Sequence, residues 1–540
     1  MMISTCITLL QIIILFGGPE HARGYKRCAL HCFSNRIQED KVGEYEVKSK
    51  ALKKLYERKL IHYVSDIKNI DRILYENEKE KEKKNRKSVY VGIDLNCKYL
   101  HIGNLIPLIT LGILRNNNTN IIILLGSSTT KIGDPSFQNV ERKRTVDEEI
   151  YENEKNIRSN IIRLFLQKEM NEKKLNEIIE RSNNVFEDNE FIYESDTKGS
   201  LIILKNSLWY NKINIIDFLK YGEYFSINKL LRKECFLNKS CKNLTLKDMN
   251  YVTLQSYDFL YLFQKYQTLI QVGGSDQWGN IQSGIELCQN IFNKQLYGLT
   301  TNLLIHKNNN KYSKSLFNEN RKLPIWVDKN FNPPYLFWNF LRNIDDVKLQ
   351  SYIDMLTNLN MNIHEQVIIN RRCSYTHKVV NDSVSVNRKV DERNMQSIYD
   401  EQINKAKTQL ANSVTSYVYG EEVVNKIHKM NKMMKYQEFD KIENVDDLKI
   451  FPFIEINTND LNNNKINIIH VLRNLEIANT NKEAKEKIGQ KCLYLNKLLI
   501  DDPKFLLSIE NFVQVKNNSS YYAILRLGKK TCYSIIVKDT

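Results

Sequence analysis

With 540 residues, 79 Lys and Arg against 63 Asp and Glu, and a formal net charge of +16, the chain is too long for one small module and basic enough to suit a polyanionic partner. Hydrophobic residues at 42% and charged residues at 26% are ordinary for folded domains, while 19 Gly and 8 Pro are too few for a collagenous or Pro/Gly-rich chain. The ten cysteines form no CxxC pair, the closest spacings being Cys28/Cys32 and Cys235/Cys241, which disfavours a zinc ribbon or a disulfide framework.

Residues 2–18 are mostly apolar, shorter than the roughly 20 residues of a membrane-spanning helix, and followed by Gly17-Gly18-Pro19. A secretory leader fits them best, although no positive region precedes it. The basic residues Arg23, Lys26, Arg27 and Arg36 come next without periodicity, so the front of the chain looks like a bipartite organelle address. No other run approaches spanning length, and a mature form without a membrane segment is expected. Leu52, Leu55 and Leu60 mark an amphipathic helix, and the charged run 76–87 reads as a solvated face or loop. Residues 89–93 read as a strand, 105–114 as a helix and 121–125 as a second strand ending at Gly126. Strand, helix, strand implies a parallel βαβ unit and an α/β fold built on a doubly wound, Rossmann-like parallel sheet, with ligands beyond the carboxyl ends of its strands. Residues 148–165 continue as helix, and 269–272 form another buried strand running into Gly273-Gly274-Ser275-Asp276. The Asn-rich runs 116–118, 308–310 and 462–464 read as polar loop expansions. The expected division is a leader over 1–47, a catalytic domain over 48–330, a helical domain over 331–445, a linker over 446–465 and a small α+β module over 466–540.

His101-Ile102-Gly103-Asn104 stands directly before an apolar helix. A helix start presents unpaired N–H groups and partial positive charge, and its Gly lets a flat base approach, so the turn suits a nucleotide phosphate. Alone, such a tetrapeptide is more often just a polar helix start. Lys311-Tyr312-Ser313-Lys314-Ser315 places two lysines three apart in a polar loop, suited to gripping pyrophosphate. Alone, it is a basic loop. Both stand in chain order with Tyr90-Val91-Gly92-Ile93-Asp94, Ile132-Gly133-Asp134-Pro135-Ser136, Leu254-Gln255-Ser256-Tyr257-Asp258-Phe259 and Gly273-Gly274-Ser275-Asp276-Gln277-Trp278-Gly279-Asn280. Together these motifs resemble the class I tyrosyl-tRNA synthetases of bacterial and organellar type, from about residue 48 to the carboxyl terminus. His101–Asn104 falls at the HIGH signature and Lys311–Ser315 at KMSKS. Stretches near 183–205, 235–245 and 375–405 match nothing in the family and read as expansions.

The resemblance implies ligation of tyrosine to tRNA-Tyr through a tyrosyl-adenylate, with ATP as substrate and Mg2+ accompanying it. Tyr90 and Asp258 would hydrogen-bond the phenol, and Asp134, Tyr251 and Gln255 would hold the ammonium. Gly92, Asp94, Gly103, Gly274, Asp276 and Gln277 would line the ATP and adenylate site. Catalytic roles toward the phosphates would fall to His101, Lys311 and Lys314, with Asn104 and Asn96 standing where relatives carry a second His and a Thr. Arg142 matches a mobile arginine, and Gln138 replaces a frequent Lys. A homodimer is expected on resemblance alone.

Residues 466–540 carry twelve Lys and Arg against seven Asp and Glu and resemble the S4 RNA-binding fold. Lys482, Lys485, Arg526, Lys529 and Lys530 are the candidate tRNA contacts. Two alternatives stay open: a tryptophanyl-tRNA synthetase of the same class, and a synthetase-derived RNA-binding or splicing scaffold weakened in catalysis. The bipartite front of an Asn/Lys-rich chain resembles plastid-targeted (apicoplast) proteins of apicomplexan parasites, with the mitochondrion as second choice.

Overall fold

The computed structural model describes residues 45–134, 146–185, 189–233, 245–305, 325–329, 331–361, 388–439, 442–462, 466–515, 520–528 and 531–538. Two helices and a strand open it: α1 (Lys50–Glu57), β1 (Ile61–Val64) and α2 (Ile67–Lys79). Ser49 and Asp66 cap the two helices by accepting from the N–H groups of Leu52 and Asn69. The charged run at 76–87 is therefore helical over its first four residues rather than wholly loop.

Six further strands complete the main sheet: β2 (Ser88–Asp94), β3 (Asn120–Gly126), β4 (Phe191–Tyr193), β5 (Leu201–Lys205), β6 (Thr268–Gly274) and β7 (Tyr297–Thr301). Their order is β1-β7-β6-β2-β3-β5-β4. The five inner strands are parallel and the two edges antiparallel. β2 and β3 are almost wholly buried, as strands covered on both faces must be, which explains their continuous apolar runs. Val89, Val91, Ile121, Ile123, Ile270 and Val272 face the core shared with α3 (Leu105–Asn116) and α4 (Asp147–Leu166). Tyr90, Ile122, Leu124, Ile202 and Leu204 face α5 (Leu246–Tyr266) and α6 (Trp278–Phe292). The doubly wound sheet expected from the βαβ reading is thus present, and its strand order reverses between β2 and β6, where ligands of such sheets lie. The stretch 183–205 is not a mere expansion: its Leu201-Ile202-Ile203-Leu204 run forms β5, paired with β3 inside the sheet.

Four helices follow: α7 (Pro334–Arg342), α8 (Asp346–Leu356), α9 (Arg388–Tyr419) and α10 (Glu421–Tyr436). Beyond them, β8 (Phe453–Asn457), α11 (Ile468–Asn474), α12 (Asn481–Gly489), β9 (Leu493–Leu495), β10 (Leu498–Leu499), β11 (Val513–Gln514), β12 (Tyr521–Leu527) and β13 (Thr531–Lys538) build a second sheet with two helices. The segment 446–465 read as a linker instead supplies β8, which pairs in parallel with β13. The second sheet is covered twice. Ala523, Leu525, Ile535 and Val537 pack under α11 and α12. The alternate side chains Tyr522, Ile524, Cys532 and Ile536 join the core of the main body, beside Tyr335, Leu448 and Phe451. Among the described residues no helix is long and apolar enough to cross a membrane.

Candidate active site

The site forms where β2 and β6 end. Asp94 closes β2, and both its carboxylate oxygens accept hydrogen bonds: Oδ1 from the Thr129 hydroxyl at 3.0 Å and Oδ2 from the Tyr251 hydroxyl at 3.1 Å. Gly126 at the end of β3 makes this possible, because a Cβ there would lie 2.3 Å from Thr129 Oγ1 and 2.5 Å from Asp94 Oδ1. Gly92, one turn of pleat earlier, is exposed, and nothing lies within 4 Å of where its Cβ would be.

Asn206, directly after β5, carries the network deeper. Its Nδ2 donates to Thr129 Oγ1 and to Asp258 Oδ2, each at 3.2 Å, while its Oδ1 accepts from the Ser128 N–H at 2.8 Å. Trp209 Nε1 donates to the other oxygen, Asp258 Oδ1, at 2.9 Å. Asp258 is 3% exposed on α5, and burial pushes its carboxyl up to about 7 despite these donors. Beside it the Tyr90 hydroxyl is buried with no hydrogen-bond partner among the described residues, and burial together with the Asp258 charge raises its pKa well above the ordinary phenol value. The Tyr90 ring leans on Phe259 at 5.1 Å, and Trp209 stacks on Tyr261 at 4.3 Å, so the polar pair sits in an aromatic shell. A buried hydroxyl without a partner beside a buried carboxylate costs free energy that a ligand with both donor and acceptor capacity at one atom can recover.

A second cluster lies at the end of β6. Gln277 Nε2 donates to Asp134 Oδ2 at 2.8 Å, and Asn280 Nδ2 reaches Gln255 Oε1 at 3.1 Å and Gln277 Oε1 at 3.3 Å. Asp276 folds back over Gly274, where a Cβ would meet its Oδ1 at 2.6 Å. Tyr251, grouped in the sequence with Asp134 and Gln255, donates instead to Asp94 and so takes part in the first cluster.

The His101 turn is a 3-10 turn capped from within. Asn104 Oδ1 accepts from the His101 N–H at 3.0 Å, and the Asn104 N–H donates to the His101 carbonyl at 2.8 Å. The amide oxygen of Asn104 thus accepts at the start of the turn, which gives the residue a local role in place of the second His of the motif. Gly103 lies within this turn, and Asn96 lies between it and the end of β2.

Of the remaining candidates, Lys482 and Lys485 are exposed on α12. Arg526 lies over the Tyr494 ring at 4.9 Å, and the alternation of β12 puts it on the face opposite α11 and α12. Those three therefore do not form one patch. Lys311, Lys314, Lys529 and Lys530, with Gln138 and Arg142, lie outside the described residues. Sequence reasoning missed Thr129, Asn206 and Trp209. Asn206 follows an apolar run directly, which marks the carboxyl end of a strand, and that signal is lost when the run is read as an expansion.

A reversed parallel sheet with the His101 turn after its first inner strand and Gly-Gly-Ser-Asp after its fourth defines a class of protein. The family model described as tRNA synthetases class I (W and Y) matches residues 81–419, and the chain belongs to that family. Its similarity extends to curated tyrosine–tRNA ligases: that of Ehrlichia chaffeensis is 28% identical over 454 residues, covering 83% of this chain and 91% of the relative. That of Pelagibacter ubique is 29% identical over 486 residues, covering 89% and 98%. That of Wolbachia pipientis is 30% identical over 378 residues, covering 69% and 74%. Within the family it is thus of the bacterial tyrosine–tRNA ligase type. A solved structure, a C-terminally truncated mitochondrial tyrosyl-tRNA synthetase from Aspergillus nidulans, shares the fold with a TM-score of 0.51 at 21% identity, over 74% of this chain and 96% of that one.

Proposed function

We propose that the chain activates tyrosine with ATP and transfers the tyrosyl group to the terminal adenosine of tRNA-Tyr. A tyrosine carboxylate oxygen attacks the α-phosphorus, the bond to the β-phosphate oxygen breaks and pyrophosphate leaves. A ribose hydroxyl of the tRNA then attacks the carbonyl carbon and AMP leaves. No protein nucleophile is needed, and the side chains act by positioning and by stabilising charge. The observation that carries this reading is the Tyr90 hydroxyl buried without a partner beside Asp258. A phenol hydroxyl donates to the carboxylate and accepts from Tyr90 at once, whereas phenylalanine leaves the Tyr90 hydroxyl without a partner and the carboxylate one donor short, a difference of roughly 10⁴–10⁵-fold in such sites. Tryptophan brings a donor and no acceptor.

Asp134, Gln255 and Gln277 would receive the ammonium end, and Asp276 with the backbone at Gly92, Gly103 and Gly274 would take the nucleotide. His101, Lys311 and Lys314 would meet the phosphates, with Asn96 nearby. Asp94, with both oxygens already accepting from Thr129 and Tyr251, is suited to hold those side chains in place. Magnesium would come with ATP on its phosphate oxygens, as this ion prefers. The test is ATP–pyrophosphate exchange on the full chain, which should depend on tyrosine and not on phenylalanine or tryptophan. Equal exchange with tryptophan would sink the reading of the Tyr90–Asp258 pair.

Three finer readings follow. Ile215, Ile216, Leu219, Ile227 and Leu246 are exposed apolar side chains close together in sequence, which supports a homodimer, checked by mass in solution. The S4-like module would contact tRNA through Lys482 and Lys485 on α12, apart from Arg526 on the other face of β12. The leader would address the protein to the plastid, and a reporter fused to residues 1–50 that stays cytosolic would refute this.

A further inference from the structure

Residues 325–329, with 331 and 332, run between the His101 turn and the helical domain, and each side holds them. Toward the turn, the Ile102 N–H donates to the Ile325 carbonyl at 2.9 Å and the Val327 N–H to the Leu100 carbonyl at 2.8 Å. Trp326 thereby stands opposite His101 in an antiparallel bridge, with the two rings 6.2 Å apart. Toward the helices, the Trp326 carbonyl accepts from the Tyr419 hydroxyl at 3.1 Å and from Asn332 Nδ2 at 3.0 Å. The same hydroxyl lies 3.4 Å from the Asn332 carbonyl. Asn332 is 3% exposed, and its N–H donates to the Asp328 carbonyl at 2.8 Å, so the segment closes on itself around this contact.

Tyr419 is the last residue of α9, the long helix of the helical domain. Its ring meets Phe337 edge-on at 5.5 Å, and Gln167 at the end of α4 donates to the Tyr417 carbonyl two residues earlier. The helix end is therefore seated on the catalytic domain, with one hydroxyl reaching across. Asn160 of α4 holds the same segment from another direction, its Nδ2 donating to Asp328 Oδ2 at 3.1 Å.

We propose that Tyr419 is a positioning residue for amino-acid activation: through the Trp326 carbonyl it fixes the strand that pairs with the His101 turn, and so fixes where His101 stands toward the phosphates. The proposal rests on the tyrosine-activation reading. A carbonyl held by two donors has a set orientation, and the bridge to residues 100–102 transmits that orientation one strand further. Removing the hydroxyl leaves the ring in place and frees only its bonds to the Trp326 and Asn332 carbonyls. The effect falls on the rate of activation rather than on tyrosine binding, because the Tyr90–Asp258 end of the pocket shares none of these bonds.

The test is Tyr419→Phe in the full chain, with Asn332→Ala as a second variant that removes the other donor to the same carbonyl. Tyrosine-dependent exchange is measured for each, alone and combined with His101→Asn, beside a thermal melt. Each single variant should lower kcat by about fivefold or more, as one hydrogen bond implies, with the tyrosine KM within about twofold. In the His101→Asn background the further loss should shrink to less than about twofold, since residues acting as one unit are not additive. A purely structural Tyr419 would give the same fold loss in both backgrounds, and that result, an unchanged kcat, or a change confined to the tyrosine KM overturns the proposal. Absence of exchange in the unmutated protein would overturn the activity reading as well, which the other outcomes leave standing.

Discussion

Trp209→Phe probes the deepest part of the pocket with a small change. The variant keeps a ring to stack on Tyr261 and removes the Nε1–H that donates to Asp258 Oδ1 at 2.9 Å. A hydrogen bond to a charged acceptor contributes about 1.5–3 kcal/mol, and 1.36 kcal/mol corresponds to one pKa unit, so the Asp258 carboxyl should rise by about one to two pH units from its native position at about 7. The substrate hydroxyl donates to the ionised carboxylate, so kcat/KM for tyrosine climbs as pH rises through about 7 and then levels off. In the variant the climb moves to higher pH. At pH 7 the ratio of ionised fractions implies a loss of roughly fivefold to fiftyfold, shrinking to about twofold or less at pH 9. Stability carries the opposite sign. A native carboxyl raised above its unfolded value of 3.8 favours the folded protein at low pH, and that contribution is lost as pH rises from about 4 through about 7. The assay is steady-state exchange at saturating ATP over pH 6–9, with melting curves as control. A climb at the same pH in both proteins, or a loss uniform across the range, would show that Trp209 does not act through Asp258.

Two further expectations concern the ends of the molecule. Asp71 is fully buried and accepts from the Tyr45 hydroxyl at 2.9 Å, the Lys48 N–H at 2.8 Å and the Ser49 N–H at 2.9 Å. Burial alone would raise its carboxyl, but these donors outweigh it and hold it below the usual range. Removing residues 1–49 should therefore cost roughly 2–5 kcal/mol more than removing residues 1–44 in denaturant melts at neutral pH. The lowered native pKa means this difference is full above about 4 and fades as pH falls below it; equal stability of the two truncations at pH 7 refutes the clasp. Ala at Lys482 and Lys485 together should flatten the dependence of log tRNA affinity on log salt by about 0.7–0.9 for each phosphate left without its lysine, measured by filter binding, while exchange is unaffected. An unchanged slope removes α12 from the tRNA surface.

The strands β2, β3 and β6 are legible because each is a short apolar run ending in a turn, and the boundaries expected at 89–93, 121–125 and 269–272 lie within the observed strands. The strand β5 carries the same signal at Leu201-Ile202-Ile203-Leu204, yet it reads as an expansion because no family motif stands beside it. That misreading also hides Asn206 and Trp209, which reach Asp258 from just beyond the end of β5. The antiparallel edge strands β1 and β4 are only four and three residues long, too short for alternation to declare itself. Asn104 reads as a substitute for a phosphate-facing His because its position in the motif speaks first, whereas its hydrogen bond to His101 is visible only once the turn is built. The face of Arg526 depends on which side of β12 meets the main body, and a sequence with apolar residues on both sides of a strand does not say which.

The second sheet, buried on both faces, changes what the end of the chain is mechanically. A domain joined by a polar contact swings freely, and relative motion is the default for such pairs. Here a swing would strip Tyr522, Ile524 and Ile536 from Tyr335 and Phe451, and would part the Ser534 hydroxyl from the Leu448 carbonyl at 3.0 Å. If the module grips tRNA as proposed, the end of the chain is accordingly a fixed jaw of a caliper whose other jaw is the proposed adenylate pocket. Its span is set by folding and does not adjust to the object measured. On the proposed tRNA reading, a tRNA whose acceptor end and distal arm match that span would meet both jaws at once, and one of the wrong length would reach only one of them.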